Sequence, residues 1–370
     1  MTAYDFAVVG AGAFGSWTAW HLRRGGASVL LADAWGPAHS RASSGDESRL
    51  IRMGYGADEI YTRMAMESLR QWRALFERRG ERLFHPTGVL RMARQNDPQS
   101  AETRGTLARC GVPVEVLGAA DLAARYPQIR LPGPAAFGIL ETGSGVLLAR
   151  RAVAAVVEDA VSAGVVYQTR AVARPGDLAA GTVVFACGPW LPKLFPDLLG
   201  KRIWPTRQEV FYFAPPAGDR RFASGALPAW VDFTDPRGPY GAPDIENRGI
   251  KLGLDRHGPP FDPDTGDRRP SAEGLSEARR FLAERFPALA DAPLTESRVC
   301  QYENTSSGDF LLDRHPEMDR VWLAGGGSGH GFKHGPAVGE YLAARILKGA
   351  PAEPRFAFAA KAETQQRTVY

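Results

Sequence analysis

A glycine-rich loop near the N-terminus has the residue types and spacing that hold a dinucleotide phosphate. Gly10, Gly12 and Gly15 follow the pattern G-x-G-x-x-G, directly after an apolar segment at residues 4–9. The first glycine permits a tight turn, the second lets the backbone approach a pyrophosphate, and the third lets a helix pack on a strand. The next helix would present its N–H groups to the phosphate. We therefore expect the whole loop to contact the nucleotide: Gly10, Ala11, Gly12, Ala13, Phe14 and Gly15.

An acidic residue follows this loop at the distance expected for a ribose contact. Asp33 lies 23 residues after Gly10, at the end of a second apolar segment. A carboxylate there accepts hydrogen bonds from ribose hydroxyls and disfavours a 2′-phosphate, so NADP is not expected. The motif does not distinguish FAD from NAD, and a glycine-rich turn without a ligand is the alternative.

Lysine is scarce in this chain, which has six lysines among its 45 basic residues. Arginine stays charged when buried, whereas a buried lysine can shift its pKa and presents a compact ammonium group. The scarcity therefore draws attention to Lys251 and Lys333, as positions that could require a compact ammonium group or a shifted pKa, which arginine does not provide.

Other reactive residues do not form a recognisable site. His330 and His334 have the i, i+4 spacing of metal ligands, but they lie in a glycine-rich stretch without an obvious third ligand, so no metal is predicted. Ser328 is not in a nucleophile elbow, because position 330 is histidine where that motif requires glycine. Three cysteines are too few and too widely spaced for a disulfide framework or a zinc site.

The composition is that of a globular protein of about two domains, with 370 residues, 44% hydrophobic and 23% charged. No apolar run reaches the roughly 18 to 20 residues that span a bilayer, so no membrane association is expected. The first strand begins within a few residues of Met1, which leaves no room for a signal peptide and favours a cytoplasmic protein. The net charge of +4 comes without a dense basic block, so a nucleic-acid partner is not expected.

Hydrophobic periodicity indicates which elements must position these residues. Helices are predicted at residues 16–24, 57–79, 150–163 and 337–347. Strands are predicted at residues 4–9, 28–32, 87–92, 165–169, 182–186 and 321–324, and residues 203–302 have a strand-rich pattern. A strand, glycine-rich loop and helix near the C-terminal end would return to the first sheet and bring residues 325–335 beside the cofactor.

Three further segments carry a resemblance to a known enzyme family. They are Arg49-Leu50-Ile51-Arg52 with Gly54-Tyr55-Gly56, Gly249-Ile250-Lys251-Leu252-Gly253, and Gly327-Ser328-Gly329-His330-Gly331-Phe332-Lys333. With the spacing of 11 residues from Tyr240 to Lys251 and 33 from Cys300 to Lys333, the chain resembles monomeric sarcosine oxidase and N-methyltryptophan oxidase. These enzymes belong to the glycine/D-amino-acid oxidase superfamily of FAD-dependent oxidoreductases. The resemblance covers essentially the full length, and fructosyl amino acid and pipecolate oxidases share much of it.

The elements predict an α/β fold with two discontinuous domains. Residues 1–85, 145–205 and 318–370 would form a Rossmann-type domain, which the resemblance identifies as FAD-binding. Residues 86–144 and 206–317 would form an antiparallel-sheet α+β substrate-binding domain.

The resemblance implies which residues hold FAD. Cys300 is similar to the cysteine that carries the flavin as a thioether, because a thiolate adds to the electrophilic 8-methyl position; the alternative is a small buried residue, which is also our interpretation of Cys110 and of the Cys187 thiol. Arg49 would lie at the flavin face. The other expected contacts are Ala34, Ser43, Ser44, Val172, Cys187, Gly188, Trp190, Gly325, Gly326, Gly327, Gly329, His330, Gly331, Phe332 and Lys333.

The resemblance also implies the catalytic residues. Arg52 and Lys333 would bind the substrate carboxylate; a surface salt bridge for Arg52 and a flavin-only contact for Lys333 are the alternatives. Lys251 would lie at the flavin N5 edge, where its charge assists oxygen, unless it is a strand lysine at a domain boundary. Tyr240 and Tyr302 would wall the pocket.

The chain departs from the family pattern at two places. Asp255 stands where the family has a pocket histidine, which implies a larger or more polar amine partner and puts sarcosine itself in doubt. Asp46 and Glu47 also differ from the local pattern, and their roles are open.

The expected activity is oxidation of the C–N bond of a secondary, N-alkyl amino acid. Hydride would pass to FAD, the imine would hydrolyse, and O2 would reoxidise the flavin to give H2O2, in an enzyme expected to be a monomer. A fructosyl amino acid or cyclic imino acid oxidase, and a flavin dehydrogenase with another electron acceptor, are alternatives. A noncatalytic NAD-binding module would not explain Lys251, Cys300 or the C-terminal glycine-rich loop.

Overall fold

The computed structural model describes residues 3–366. Its strands are β1 (Tyr4–Val9), β2 (Val29–Asp33), β3 (Arg49–Ile51), β4 (Phe84–His85), β5 (Val89–Arg94), β6 (Val114–Leu117), β7 (Ala136–Glu141), β8 (Gly145–Leu147), β9 (Val166–Thr169), β10 (Ala180–Phe185), β11 (Trp204–Phe213), β12 (Ala229–Asp232), β13 (Pro239–Ala242), β14 (Ile250–Leu254), β15 (Leu294–Asn304), β16 (Leu311–Arg314) and β17 (Val321–Gly325). Its helices are α1 (Ala13–Arg24), α2 (Glu59–Arg79), α3 (Pro98–Arg109), α4 (Ala119–Arg125), α5 (Ala149–Ser162), α6 (Leu191–Leu194), α7 (Pro196–Leu199), α8 (Ala272–Arg285) and α9 (Gly335–Lys348).

A six-stranded sheet with the order β16-β17-β10-β1-β2-β9 forms the first layer. Its strands pair in parallel except for β16, which runs antiparallel to β17. All five residues of β2 are buried, as expected where helices cover both faces of a parallel sheet. Helix α1 packs against both α5 and α9, so the predicted return of the C-terminal helix to the first sheet is confirmed.

An eight-stranded sheet with the order β15-β11-β14-β13-β12-β5-β7-β6 forms the second layer. It is antiparallel except for the parallel pair of β12 and β5. The long strand β15 carries Cys300 and Tyr302, and β14 carries Lys251. A third sheet, β3-β8-β4, holds Arg49 opposite Leu147.

One helix lies inside the segment for which we predicted strands. Helix α8 begins after Ser271, whose side chain accepts a hydrogen bond from the backbone N–H of Gly274 at 3.0 Å. Its buried side chains include Phe281, which stacks on Trp230 with ring centroids 5.5 Å apart. The segment is strand-rich as predicted, with β11 to β14 and most of β15 in it, but the sequence analysis did not predict this helix, which covers one face of the second sheet.

The domain limits stay a prediction. Strand β16, which the prediction assigns to the substrate-binding domain, pairs with the edge of the six-stranded sheet. Residues 1–2 and 367–370, at the outer ends of the predicted FAD-binding segments, lie outside the described residues. Within residues 3–366, no helix has both the length and the apolar character needed to cross a membrane.

Candidate active site

A cavity of about 450 Å³ lies at the carboxyl ends of β1, β2, β10 and β17, where open α/β sheets bind ligands. Strand β15 closes its other side. Many of the residues predicted to contact the cofactor line this cavity: Gly10, Gly12, Ala13, Phe14, Asp33, Ala34, Ser43, Ser44, Arg49, Val172, Cys187, Gly188, Trp190, Cys300, Gly327, Gly329, Gly331 and Phe332. Six other predicted contacts are not among the residues that line this cavity: Ala11, Gly15, Gly325, Gly326, His330 and Lys333.

The three glycines of the N-terminal loop have distinct surroundings. Gly10 has a φ of +103°, and a Cβ atom there would lie 2.4 Å from the carbonyl oxygen of Ala186. A Cβ atom on Gly15 would lie 1.8 Å from the carbonyl oxygen of Gly10, so helix and loop touch directly. At Gly12 the nearest atom is the Ser44 hydroxyl at 3.6 Å, so this glycine leaves its space to the cavity. The loop therefore fits a pyrophosphate at the first turn of α1.

The Asp33 carboxylate fixes the loop while it lines the cavity. One oxygen accepts the N–H of Ala11 at 2.8 Å, and the other accepts the N–H groups of Trp35 and Gly36, both at 2.9 Å. Each carboxylate oxygen has two lone pairs, so the group retains capacity to accept a ribose hydroxyl.

Cys300 lies on the cavity wall beside a cation. The Arg49 guanidinium donates to the Cys300 sulfur at 3.2 Å and to the Ser43 carbonyl oxygen at 3.0 Å. The Cys300 sulfur thus lies within hydrogen-bonding distance of a positively charged group. Cys187 also lines the cavity, but burial, with Asp33 and Glu303 nearby, raises the pKa of its thiol far above the ordinary value. The two thiols of this cavity therefore lie in different electrostatic surroundings.

Arg52 and Lys333 meet at the ring of Tyr55. The guanidinium lies 4.8 Å from the ring centroid, and the ammonium donates to the Tyr55 hydroxyl at 2.6 Å and to the His330 carbonyl oxygen at 3.1 Å. Burial and the charge of Arg52 hold the pKa of Lys333 well below its usual range. The segment after Arg52 is fixed by Glu141, which accepts the N–H groups of Met53 and Gly54.

Asp255 faces these two cations. The Tyr302 hydroxyl donates to its carboxylate at 2.6 Å. Desolvation raises the pKa of Asp255 to about 6, although Tyr302, Arg52 and Lys333 each act to lower it. Of the residues in this group, Tyr302 lines the large cavity. The structure therefore brings together four predicted substrate-binding residues next to the large cavity: Arg52, Lys333, Asp255 and Tyr302.

Tyr240 and Tyr302 each lie against a glycine. A Cβ atom on Gly253 would lie 2.6 Å from the Tyr240 ring, and one on Gly329 would lie 2.6 Å from the Tyr302 ring. These glycines of the family motifs thus provide the space that the two tyrosines occupy.

Lys251 is 1% exposed and is not among the residues that line the large cavity. Its ammonium lies 2.5 Å from both an Asp46 carboxylate oxygen and the Ser48 carbonyl oxygen. Burial lowers the pKa of Lys251 to about 8 against the opposing charge of Asp46. Its other side faces a small cavity of about 30 Å³ next to Tyr212.

The two histidines of the C-terminal loop belong to the polar core. Both ring systems contact the Tyr55 hydroxyl, at 3.3 Å for His330 and 2.8 Å for His334. Among residues 3–366, no group of three or more His, Cys, Asp or Glu side chains is arranged to hold a metal ion.

The sequence analysis missed Glu303 and left the role of Asp46 open. Glu303 lines the large cavity, and burial raises its pKa to about 7. Its strand also contains Glu296 and Arg298, so a carboxyl group three residues after Cys300 was not a distinct signal. The position of Asp46 three residues before Arg49 gave no indication of its distant partner Lys251. Further cavity residues without a prediction are Trp35, His39, Arg170, Asp177, Pro189, Gln301 and Ser328.

Comparisons with known proteins agree with this geometry. The family model for FAD dependent oxidoreductases matches residues 5–345. Peroxisomal sarcosine oxidase of Homo sapiens is 31% identical over 369 residues, which cover 94% of this chain and 93% of the relative. Monomeric sarcosine oxidase of Bacillus sp. (strain B-0618) is 32% identical over 372 residues, with the same coverage. N-methyl-L-tryptophan oxidase of Yersinia pestis (strain Pestoides F) is 28% identical, covering 92% of this chain and 94% of the relative.

Solved structures share the fold. L-proline dehydrogenase from P. horikoshii has a TM-score of 0.82 at 21% identity, covering 96% of each chain. The open form of NikD, an unusual amino acid oxidase, has a TM-score of 0.75 at 22% identity, covering 96% of this chain and 98% of that one. The predicted fold class and the predicted resemblance are confirmed. The chain belongs to the DAO family of FAD-dependent oxidoreductases.

Proposed function

We propose that this chain is a flavin amine oxidase that oxidises the C–N bond of a secondary, N-alkylated amino acid. The grouping of Arg52, Lys333, Tyr302 and Asp255 beside a cavity suited to FAD carries the proposal. Relatives named for sarcosine and N-methyl-L-tryptophan support the same substrate class. A monomer is the expected state.

FAD bound in this cavity would supply the redox chemistry: it would accept hydride from the substrate carbon, and the two electrons with that hydrogen and the proton from the amine nitrogen would reduce O2 to H2O2. The glycine loop would hold its pyrophosphate and Asp33 its ribose. Cys300 would attach the ring as a thioether, with the Arg49 guanidinium 3.2 Å from its sulfur.

The substrate carboxylate would bind between Arg52 and Lys333. Two cations held close together destabilise each other, and burial and Arg52 already lower the pKa of Lys333. A bound carboxylate would offset the repulsion between the two cations and favour the protonated form of Lys333. It would thereby orient the amine end of the substrate toward the large cavity. Orientation of this kind lowers a barrier by several kcal/mol, within the roughly 7–11 kcal/mol that proximity can supply.

Asp255 would act in the oxidation of the substrate amine, and Lys251 would act in the reoxidation of the flavin by O2. The amine must be neutral before its C–H bond breaks, and the Asp255 carboxylate would accept a hydrogen bond from the nitrogen. Lys251 would supply the fixed positive charge that assists O2. The imine product hydrolyses in water.

Two observations favour alternative substrates or acceptors. Asp255 adds an acidic group to the pocket, which favours a larger or more polar amine, as in a fructosyl amino acid or cyclic imino acid oxidase. Lys251 is not among the residues that line the large cavity, which favours a dehydrogenase that uses another electron acceptor.

Acid precipitation of the purified protein tests the cofactor, and aerobic turnover tests the reaction. We expect a yellow protein whose colour stays with the precipitate, and H2O2 formation in air with N-methyl amino acids. If the colour is released to the supernatant, the flavin is not covalently attached, and Cys300 is a buried packing residue. A panel of proline-like and fructosyl amino acids separates the substrate classes, and turnover that needs an added dye would identify a dehydrogenase. A colourless protein that cannot be reconstituted with FAD would contradict the proposal.

A further inference from the structure

Asp46 lies at the centre of a buried cluster of charges. It is 4% exposed, and one carboxylate oxygen contacts both the Lys251 ammonium, at 2.5 Å, and the Arg49 guanidinium. The other oxygen accepts the Tyr212 hydroxyl at 3.1 Å and the N–H of Glu47 at 2.7 Å. All the acceptor positions of this carboxylate are therefore used inside the protein.

The two cations that share this carboxylate lead to different places. Arg49 reaches the wall of the large cavity, where it donates to Cys300 and Ser43. Lys251 reaches the Ser48 carbonyl oxygen and the small cavity beside Tyr212. One carboxylate thus connects the cation next to the Cys300 thiol with the lysine of β14.

The charges show why the cluster depends on Asp46. Burial acts to raise the pKa of Asp46, but Lys251 and Arg49 hold it far below its usual range. Burial and the charge of Arg49 lower the pKa of Lys251 to about 8, whereas Asp46 acts to raise it. Removing the carboxylate would leave two buried cations side by side, which is strongly unfavourable.

We propose that Asp46 is a positioning residue for two steps: it keeps Lys251 protonated and fixed for the reaction with O2, and it holds Arg49 against Cys300 for attachment of the flavin. The inference rests on the proposed function. The net attachment reaction joins the Cys300 sulfur to the flavin methyl carbon, releases one hydrogen from each, and passes both hydrogens with two electrons to O2 as H2O2.

The variants Asp46→Asn and Asp46→Ala test this inference, and Glu47→Gln is the matched control. Glu47 is the next residue along the chain, and it too is a carboxylate in ion pairs. Its partners lie outside the cluster: Arg150 at 3.1 Å, Arg298 at 3.2 Å and Arg248 at 3.4 Å. A general effect of losing one acidic group here would appear in all three variants.

The first readout is the fraction of flavin that stays with the acid precipitate, which does not depend on turnover. Asp46→Ala should reduce this fraction at least tenfold, because Arg49 loses its anchor. Asp46→Asn should reduce it less, because the amide oxygen still accepts a hydrogen bond. Glu47→Gln should retain the wild-type fraction.

The second readout is the pH dependence of reoxidation by O2 after chemical reduction of the flavin. In the wild-type protein the rate should fall as the pH rises through about 8, where Lys251 loses its proton. In Asp46→Asn the midpoint should move at least one pH unit lower, because the charge that favours the ammonium is gone. The other titratable or charged groups around Lys251 are Arg49, Tyr212, Cys300, Glu47, Arg151, Glu246 and Arg248.

A wild-type attached fraction together with a wild-type midpoint in Asp46→Asn would overturn the inference. If neither variant folds, Asp46→Glu decides: it keeps the charge and displaces the carboxylate, so the midpoint should stay near 8 while the attached fraction falls. No change in either quantity would overturn the inference. A wild-type protein without flavin or without a reaction with O2 would instead contradict the proposed function.

Discussion

The loop at residues 10–15 shapes the large cavity with its backbone, whereas the neighbouring cluster of Asp46, Arg49 and Lys251 consists of charged side chains. In the loop, each glycine occupies a place where a methyl group would meet main-chain atoms or the cavity. In the cluster, each group is stable because an opposite charge lies within hydrogen-bonding distance. The conformation of the loop thus depends on steric fit, whereas the stability of the cluster depends on the pairing of opposite charges.

This difference predicts how substitutions in each region should change the protein. A steric change in the loop acts on folding or on cofactor binding and should depend little on pH, because backbone atoms do not titrate. A change in a charged cluster leaves much of the shape intact and alters which groups carry protons. Variants of the two regions should therefore differ in kind as well as in size.

The largest effect is expected from Gly15→Ala. Its Cβ atom would lie 1.8 Å from the Gly10 carbonyl oxygen, and because that neighbour is backbone, we expect a loss of about 3 kcal/mol or more in the free energy of unfolding. Gly12→Ala is the matched control, since its nearest atom is the Ser44 hydroxyl at 3.6 Å. It should melt like the wild-type apoprotein but lose flavin. Thermal unfolding with absorbance near 450 nm measures both, and wild-type melting of Gly15→Ala would contradict the steric account.

The second prediction concerns Lys251 and tests whether the charged cluster acts on one half-reaction. Lys251→Met should slow reoxidation by O2 by about 10²- to 10³-fold, as expected for loss of a preorganised charge. Reduction of the flavin by substrate should change far less. Stopped-flow absorbance measures each step separately, and the exposed lysine Lys348, changed to Met, is the control. If both half-reactions keep their wild-type rates, Lys251 has no role in the oxygen step.

The third prediction concerns the carboxylate site. Arg52→Ala should weaken inhibition by small carboxylic acids about 10- to 100-fold, which corresponds to the roughly 1.5–3 kcal/mol of a hydrogen bond to a charged group. The amide analogues of the same inhibitors lack the negative charge and should lose much less affinity. Titration of the flavin absorbance gives both dissociation constants. Equal losses for acid and amide would remove Arg52 from carboxylate binding.

The same difference explains what the sequence could predict. The spacing of Gly10, Gly12 and Gly15 reflects a local backbone requirement, so a short motif is sufficient to predict it. Lys251 was predicted through a motif, but its partner Asp46 lies 205 residues away and only the fold brings the two together. Contacts between side chains of distant strands leave no local pattern.

Helix α8 shows the same limit in the fold. The Ser271 cap and the buried positions of this helix are present in the sequence, but proline and glycine turns surround them. The helix is stabilised by packing against Trp230 and the second sheet, and such tertiary contacts override local patterns.

The smallest effect should come from Asp255, and it is best measured as a change in the pH profile of kcat/KM. Desolvation raises the pKa of Asp255 to about 6, so its carboxylate is charged above pH 6 and neutral below it. If the charged form holds the substrate amine, kcat/KM should fall about tenfold for each pH unit below 6. Asp255→Asn should lower the plateau at high pH and remove this decrease.

Tyr302→Phe sharpens the assignment, because the Tyr302 hydroxyl acts to lower the pKa of Asp255. Without that hydroxyl the midpoint of the kcat/KM profile should move above 6.

The group that could titrate in place of Asp255 is Glu303, whose pKa burial raises to about 7. Because Glu303 lines the cofactor cavity and Asp255 faces Arg52 and Lys333, the two carboxyl groups should respond differently to substrate analogues. A decrease that persists in Asp255→Asn but disappears in Glu303→Gln would transfer the titration to the cofactor wall and leave Asp255 a role in the shape of the pocket alone.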